Sequence, residues 1–83
     1  MEFHIRLNKP EDVQRFCSIA EAFDFDIDVR YRHYVLNAKS YLGLINADYK
    51  QPLVMFAHVN GNIMSNYVML LEAFKDFLVE EGA

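Results

Sequence analysis

The chain has 83 residues, a length that fits one small domain and leaves no room for a catalytic domain beside a regulatory one. Apolar residues make up 53% of it and charged residues 24%, a composition that buries a core and excludes the disordered and collagen-like classes. Its net charge of -4 has the wrong sign for a protein that binds nucleic acid unaided.

Cysteine content and hydropathy point to a cytoplasmic protein. Cys17 is the only cysteine, so no internal disulfide is possible, and its place on the apolar side of a predicted helix favours a core position. The opening residues carry neither a basic leader nor an apolar signal segment. No apolar stretch approaches the roughly 20 residues that cross a bilayer, so no membrane span is expected.

The first elements along the chain are a strand and a helix. Phe3, Ile5 and Leu7 alternate with polar residues, as in a strand with one buried face. Pro10 suits the first turn of a helix, and apolar residues then follow at helical spacing. The pattern predicts this helix over residues 10–23.

A hairpin is predicted next. Residues 23–32 hold a period of two, with Phe25, Ile27 and Val29 expected in the core. The alternate positions are expected to form a solvated face rather than a metal site, and they include Asp24, Asp26 and Asp28. A return strand over residues 34–39 completes the hairpin, whose turn contains no glycine.

The second half of the chain predicts a short helix, a strand and a long helix. Ser40 suits the cap of a helix of at most two turns, although Gly43 weakens that helix. A fourth strand covers residues 53–59, and a helix without glycine or proline runs over residues 63–80. The residues expected to face the core from this last helix are Met64, Tyr67, Val68, Leu71, Phe74 and Leu78. The order βαββαβα predicts an α+β open-faced sandwich.

Within this order, the sequence Asn-Ala-Lys-Ser-Tyr-Leu-Gly-Leu-Ile at residues 37–45 resembles the regulatory-serine segment of the HPr family. These proteins are the histidine-containing phosphocarriers of the bacterial sugar phosphotransferase system. Anchored on Lys39, Ser40 and Gly43, the whole chain aligns with the family pattern almost without gaps. The resemblance implies a single HPr-like domain over residues 1–83, with a four-stranded antiparallel sheet and its helices on one face. ACT-like and ferredoxin-like domains, the alternatives, do not predict so short a second helix before a long terminal one.

The chain departs from the family where the first helix begins. The family carries its phosphoacceptor there in the sequence His-Ala-Arg-Pro, whereas this chain reads Lys9-Pro10-Glu11-Asp12. Lys9 stands at the acceptor position and Glu11 at that of the phosphate-supporting arginine. Two carboxylates in the first turn also repel a phosphoryl group. We therefore expect no histidine phosphotransfer at this site, no enzymatic activity and no cofactor.

Ser40 gives the sharpest functional hypothesis. The resemblance implies that a serine kinase phosphorylates it and that the modified protein binds a transcriptional regulator. It also implies that Tyr41, Leu42 and Ile45 form an exposed docking patch beside Lys39. The simpler interpretation of Ser40 is a helix cap without any regulatory role.

The remaining candidates are three histidines and two apolar residues. His4, His33 and His58 are expected on outer strand faces and in a turn, and no set of residues with metal-ligand spacing accompanies them. Val54 and Phe56 are expected on the open face of the sheet, where they favour a weak homodimer or another partner.

These observations favour a non-carrier protein-binding or regulatory module related to the phosphotransferase system. Its partners would be components of that system, a serine kinase or a transcriptional regulator. The alternative is an active phosphocarrier that uses another acceptor, such as His4. A small-molecule sensor is disfavoured, because the sequence has no glycine-rich loop and no convergent polar cluster.

Overall fold

The computed structural model describes residues 1–79, which form four strands and three helices. The strands are β1 (Glu2–Ile5), β2 (Ile27–Tyr31), β3 (Tyr34–Asn37) and β4 (Leu53–Ala57). The helices are α1 (Pro10–Glu21), α2 (Tyr41–Ile45) and α3 (Ile63–Ala73). This order is the one predicted from the sequence.

The strands form one sheet in the order β1-β4-β2-β3, and every neighbouring pair is antiparallel. Alternate residues share a face of a strand, and one face of this sheet is buried. Its buried residues are Phe3, Ile5, Ile27, Val29, Leu53, Met55 and Ala57. The architecture is therefore α+β with an open antiparallel sheet, and it is compatible with an open-faced sandwich.

The helices supply the other side of the core. Phe16 of α1 is fully buried, and its ring lies 5.1 Å from that of Phe74, just after α3. Cys17 is buried in the same cluster, as predicted. Leu44 of α2 and Leu70 of α3 complete the contribution of the helices. Leu36 and Leu71 are only partly buried and pack against this core.

Strand β2 is shorter than predicted, although its register is confirmed. The strand begins at Ile27, whereas the period of two predicted it from residue 23. Strand β4 pairs with Ile27 through its last residue, Ala57, so residues before Ile27 have no strand beside them. Phe25 is nevertheless buried, and Asp24 and Asp26 are exposed, as the alternation requires.

Helix α3 is also shorter than predicted. It ends at Ala73, and residues 74–77 form turns. Leu78 then makes an antiparallel bridge with Ile5 on the outer edge of β1. The predicted helix end at residue 80 lies outside the described residues.

The β2–β3 connection is a two-residue loop formed by Arg32 and His33, since Tyr31 pairs directly with Tyr34. Arg32 has a φ of 54°, a left-handed conformation that non-glycine residues adopt uncommonly. The prediction of a tight turn without glycine is therefore correct, and Arg32 takes the position that glycine usually fills.

The register of β2 can be tested with Ile27→Asp and Asp26→Asn. Ile27 is 1% exposed, so an aspartate there buries an unpaired carboxylate. Such burial costs several kcal/mol of a stability that is typically about 5–15 kcal/mol. We expect Ile27→Asp to unfold the protein in a urea titration followed by circular dichroism. Asp26→Asn, on the exposed side, should change the stability by less than about 0.5 kcal/mol. Equal tolerance at the two positions would contradict this register.

Candidate functional site

The amino end of α1 is filled by the chain's own carboxylate. Lys9 is the N-cap residue in extended conformation, with φ -149° and ψ 164°, and its side chain makes no capping hydrogen bond. Instead, the Asp12 Oδ2 atom accepts a hydrogen bond from the Asn8 backbone N–H at 2.9 Å. Asp12 is only 9% exposed, so its carboxylate is held beside the amino end of α1, where its charge disfavours an external anion. The exposed side chains of Lys9 and Glu11 flank this position.

Ser40 caps α2. Its backbone is extended, and its Oγ accepts a hydrogen bond from the Gly43 N–H at 3.3 Å. A Cβ atom at Gly43 would lie 3.1 Å from this Oγ, a tight contact. The glycine that weakens α2 by propensity therefore leaves room for the capping hydroxyl, a relationship that sequence reasoning missed.

Lys39 does not point its charge at the Ser40 hydroxyl. Its Nζ atom donates a hydrogen bond of 2.7 Å to the carbonyl oxygen of Phe23, just beyond the end of α1. Since carbonyls at a helix carboxyl end favour a cation, this ammonium already has a partner that connects the start of α2 to α1. A phosphate on Ser40 would have to compete with that carbonyl for it.

The α2 patch consists of Tyr41, Leu42 and Ile45. Leu42 is 71% exposed and Tyr41 is 41% exposed, whereas Ile45 is partly buried against the core. Tyr41 also borders an open cleft of about 270 Å³ beside the α1 residues Gln14, Cys17, Ser18 and Glu21. The predicted patch is therefore presented to solvent mainly by its first two residues.

A second apolar patch lies on α3, where the sequence predicted a core-facing stripe. This α3 patch consists of Ile63, Met64, Tyr67 and Val68, which are 67%, 73%, 44% and 58% exposed. The prediction that Met64, Tyr67 and Val68 face the core is wrong, because α3 packs against the core through a neighbouring side, near its carboxyl end. That side contributes Leu70 and leads into buried Phe74 and Phe77. Met64 and buried Phe74 belong to one predicted stripe, so periodicity alone did not show that the first residues of the stripe are exposed.

The open face of the sheet is polar around its apolar residues. The His58 Nε2 and Asp28 Oδ2 atoms are 2.8 Å apart, across the β2–β4 pairing. This hydrogen bond is the main reason that the pKa of Asp28 lies below its usual value, and Arg30 lowers it further. The Arg30 guanidinium lies 4.4 Å from the centre of the Phe56 ring, and both Phe56 and Val54 are partly buried.

The structure separates the histidines. His4 pairs with Val54 in the register of β1 and β4, four residues before His58. Four residues of strand correspond to about 13 Å, too far for two ligands of one metal ion. His33 lies in the β2–β3 turn, where its ring stacks on Tyr34. Among residues 1–79, no group of three or more His, Cys, Asp or Glu side chains is placed to hold a metal ion.

The thiol of Cys17 is buried and has low reactivity. Its side chain is 3% exposed, and burial, reinforced by the nearby Glu21 carboxylate, raises the pKa of the thiol to about 11. Since the thiolate is the reactive form, Cys17 is a poor nucleophile and metal ligand at neutral pH.

Comparison with known proteins gives no family to which these patches could be assigned. No protein-family model matches the chain, and a search of curated proteins finds no match to it. Over the part of the chain that the structure describes, no helix combines the length and apolarity needed to cross a bilayer. The features of the protein that bear on its function are therefore the amino end of α1, Ser40 and the two apolar patches.

Proposed function

We propose that this chain is an HPr-like protein-binding module that works in the cytoplasm without carrying a phosphoryl group. Two observations support the relationship to the HPr family. The elements follow the order that the resemblance implies, and Ser40 caps a five-residue helix as the regulatory-serine segment requires. The residues at the amino end of α1, with Lys9 at the N-cap in place of the acceptor histidine, support the loss of carrier activity.

The observation that carries the proposal is the hydrogen bond between the Asp12 carboxylate and the Asn8 N–H. A phosphocarrier needs a nitrogen lone pair to attack phosphorus and positive charge to stabilise the transferred group. Lys9 offers an ammonium group, which has no lone pair. Asp12 and Glu11 place negative charge in the first turn of α1, directly after the position of the acceptor in the family pattern. The site therefore lacks the nucleophilic nitrogen, and its two carboxylates offset the positive charge that phosphoryl transfer needs.

Binding activity is assigned to the α2 patch, with Ser40 as its regulatory position. Tyr41 and Leu42 expose apolar side chains directly after Ser40, so a charge added to its hydroxyl would lie at the border of the patch. A phosphoserine adds about -1.5 to -2 charges and three acceptor oxygens. It would draw the Lys39 ammonium away from Phe23, changing the contact between α2 and α1 as well as the charge of the surface. The partner would be a component of the phosphotransferase system, a serine kinase or a transcriptional regulator.

The absence of phosphotransfer can be tested by incubating the protein with phosphoenolpyruvate and the general phosphotransferase enzyme, then measuring the intact mass. We expect no acid-labile phosphoryl group on the unmodified chain, while an HPr with its acceptor histidine becomes modified in the same mixture. Lys9→His alone should remain unmodified, because Glu11 and Asp12 still oppose the incoming charge. Lys9→His combined with Glu11→Arg should accept more phosphate. Acid-labile modification of the unmodified protein on any histidine, His4 included, would instead identify an active phosphocarrier.

The role of Ser40 can be tested with Ser40→Asp and Ser40→Ala used as baits for cytoplasmic proteins of the native cell. Aspartate keeps a capping oxygen and adds charge, whereas alanine loses the cap at a cost of about 0.5–2 kcal/mol. We expect Ser40→Asp to change the amounts of captured proteins, measured by quantitative mass spectrometry, and Ser40→Ala not to reproduce that change. Leu42→Glu, within the α2 patch, should reduce capture of the same proteins. Equal capture by wild type and Ser40→Asp would leave Ser40 as a cap only.

A further inference from the structure

The α3 patch is a large apolar surface that the proposed function does not use. At about 100° per residue of helix, Met64, Tyr67 and Val68 fall within an arc of about 100°. Ile63 extends the surface at the amino end of α3, and partly buried Leu71 continues it at the other end. Tyr67 is steadied by stacking on Phe3, with ring centres 5.8 Å apart, so part of this surface is preformed.

The charge pattern around the α3 patch restricts what can cover it. Residues 51–71, which include the whole α3 patch, contain no Asp, Glu, Lys or Arg, and Glu72 near the carboxyl end is the charged residue of α3. A charged group buried against the α3 patch would lose its hydration without compensation. An uncharged apolar surface fits best, and the α3 patch of another copy is such a surface.

We propose that a second copy of this chain covers the α3 patch, forming a weak symmetric dimer in which the two α3 helices run antiparallel. The proposal is independent of the relationship to the HPr family. A twofold axis near Tyr67 would bring the α3 patches of the two copies together. Each patch residue of one copy would then contact patch residues of the other copy, and the two sets of contacts would be identical.

The ends of α3 are compatible with this antiparallel arrangement. Glu72 and Lys75 form an ion pair of 3.0 Å near the carboxyl end of the helix. With the axis near Tyr67, Glu72 of one copy lies near the amino end of the other α3, where the helix dipole favours a carboxylate. That end carries Asn62 as its cap and no charged residue, so no like charges meet there.

The size of the patch predicts weak association. Four side chains with these exposures offer on the order of 400 Å² per copy, about half of the roughly 800 Å² per partner in standard interfaces. The net charge of -4 on each copy opposes association further. The open face of the sheet is a poorer dimer surface than the sequence predicted, because Arg30 lies over Phe56 and charged residues surround it.

The dimer can be tested by sedimentation equilibrium of the purified chain from about 10 μM to about 1 mM, the range in which a weak complex forms. We expect the average mass to rise from the 9.7 kDa of the monomer and to level off at twice that value. Val68→Glu should weaken association at least about tenfold, since it buries a charge at the centre of the contact. Val35→Glu, the matched control on strand β3, where Val35 is 61% exposed, should associate as the wild type does. Because both positions are exposed, both variants should keep the wild-type circular dichroism spectrum, and Met64→Glu repeats the test one turn away.

Several outcomes would overturn the proposal. These are a wild-type chain that stays monomeric at about 1 mM, a mass that climbs past the dimer without levelling, and a Val68→Glu variant that associates like the wild type. Loss of association in Val35→Glu would place the contact on β3 instead. A chain that stays monomeric but binds neutral phosphatidylcholine vesicles, or a different protein, through Val68 would assign the α3 patch to that occupant.

Discussion

Residues 74–79, which follow α3, contact both helix α1 and strand β1. These two sets of contacts determine how α3 lies on the protein. On one side, the rings of Phe74 and Phe77 lie 5.1 Å and 5.9 Å from that of Phe16 on α1. On the other side, the Phe77 carbonyl accepts a hydrogen bond from the Arg6 N–H at 2.9 Å. The Val79 N–H donates to the His4 carbonyl at 2.8 Å. The chain has to leave the helix before these backbone groups can reach the edge of β1. The same bonds cover part of an edge strand that would otherwise present unpaired backbone groups.

The surface of the protein follows from those contacts. Because α3 is anchored through Leu70 and the residues that follow it, its amino-terminal turns face solvent and carry the α3 patch. Helix α2, held by Leu44 and the Lys39 bond to Phe23, presents Tyr41 and Leu42 in the same way. The open face of the sheet, by contrast, carries the Arg30–Asp28 ion pair and the His58–Asp28 hydrogen bond. Most of the exposed large apolar side chains therefore lie on the helices, and the others are Tyr34 and Val35 on β3 and Val79.

The sequence predicted the features that depend on local pattern and failed where tertiary contacts decide. The alternation of Ile27 and Val29 with aspartates gave the correct register of β2, since a shift by one residue would bury carboxylates. The Ser40 cap was also predictable, because a hydroxyl before a short helix satisfies a backbone N–H that nothing else reaches. The end of α3 was not, since no glycine or proline marks Ala73 and the helix stops because of contacts with α1 and β1.

In the candidate site, too, the sequence predicted which residues are present but not their contacts with distant parts of the chain. The sequence located the carboxylates at the start of α1 but not the burial of Asp12, which depends on the path of the chain at Asn8. It placed Lys39 beside Ser40, whereas a carbonyl 16 residues earlier in the chain holds its ammonium. Contacts between residues distant in the sequence leave no local pattern from which they could be predicted.

Two methionines of the chain, Met64 and Met55, provide the most direct test of how α3 lies on the protein. Met64 is 73% exposed, whereas Met55 on the buried face of the sheet is 0% exposed. Oxidation of methionine by hydrogen peroxide follows access to the sulfur, and peptide mass spectrometry measures it residue by residue. In dilute native protein, where the proposed dimer dissociates, we expect Met64 to be oxidised much faster than Met55, and the difference to vanish in denaturant. Native protection of Met64 equal to that of Met55 would show that this side of α3 is buried and would contradict the account.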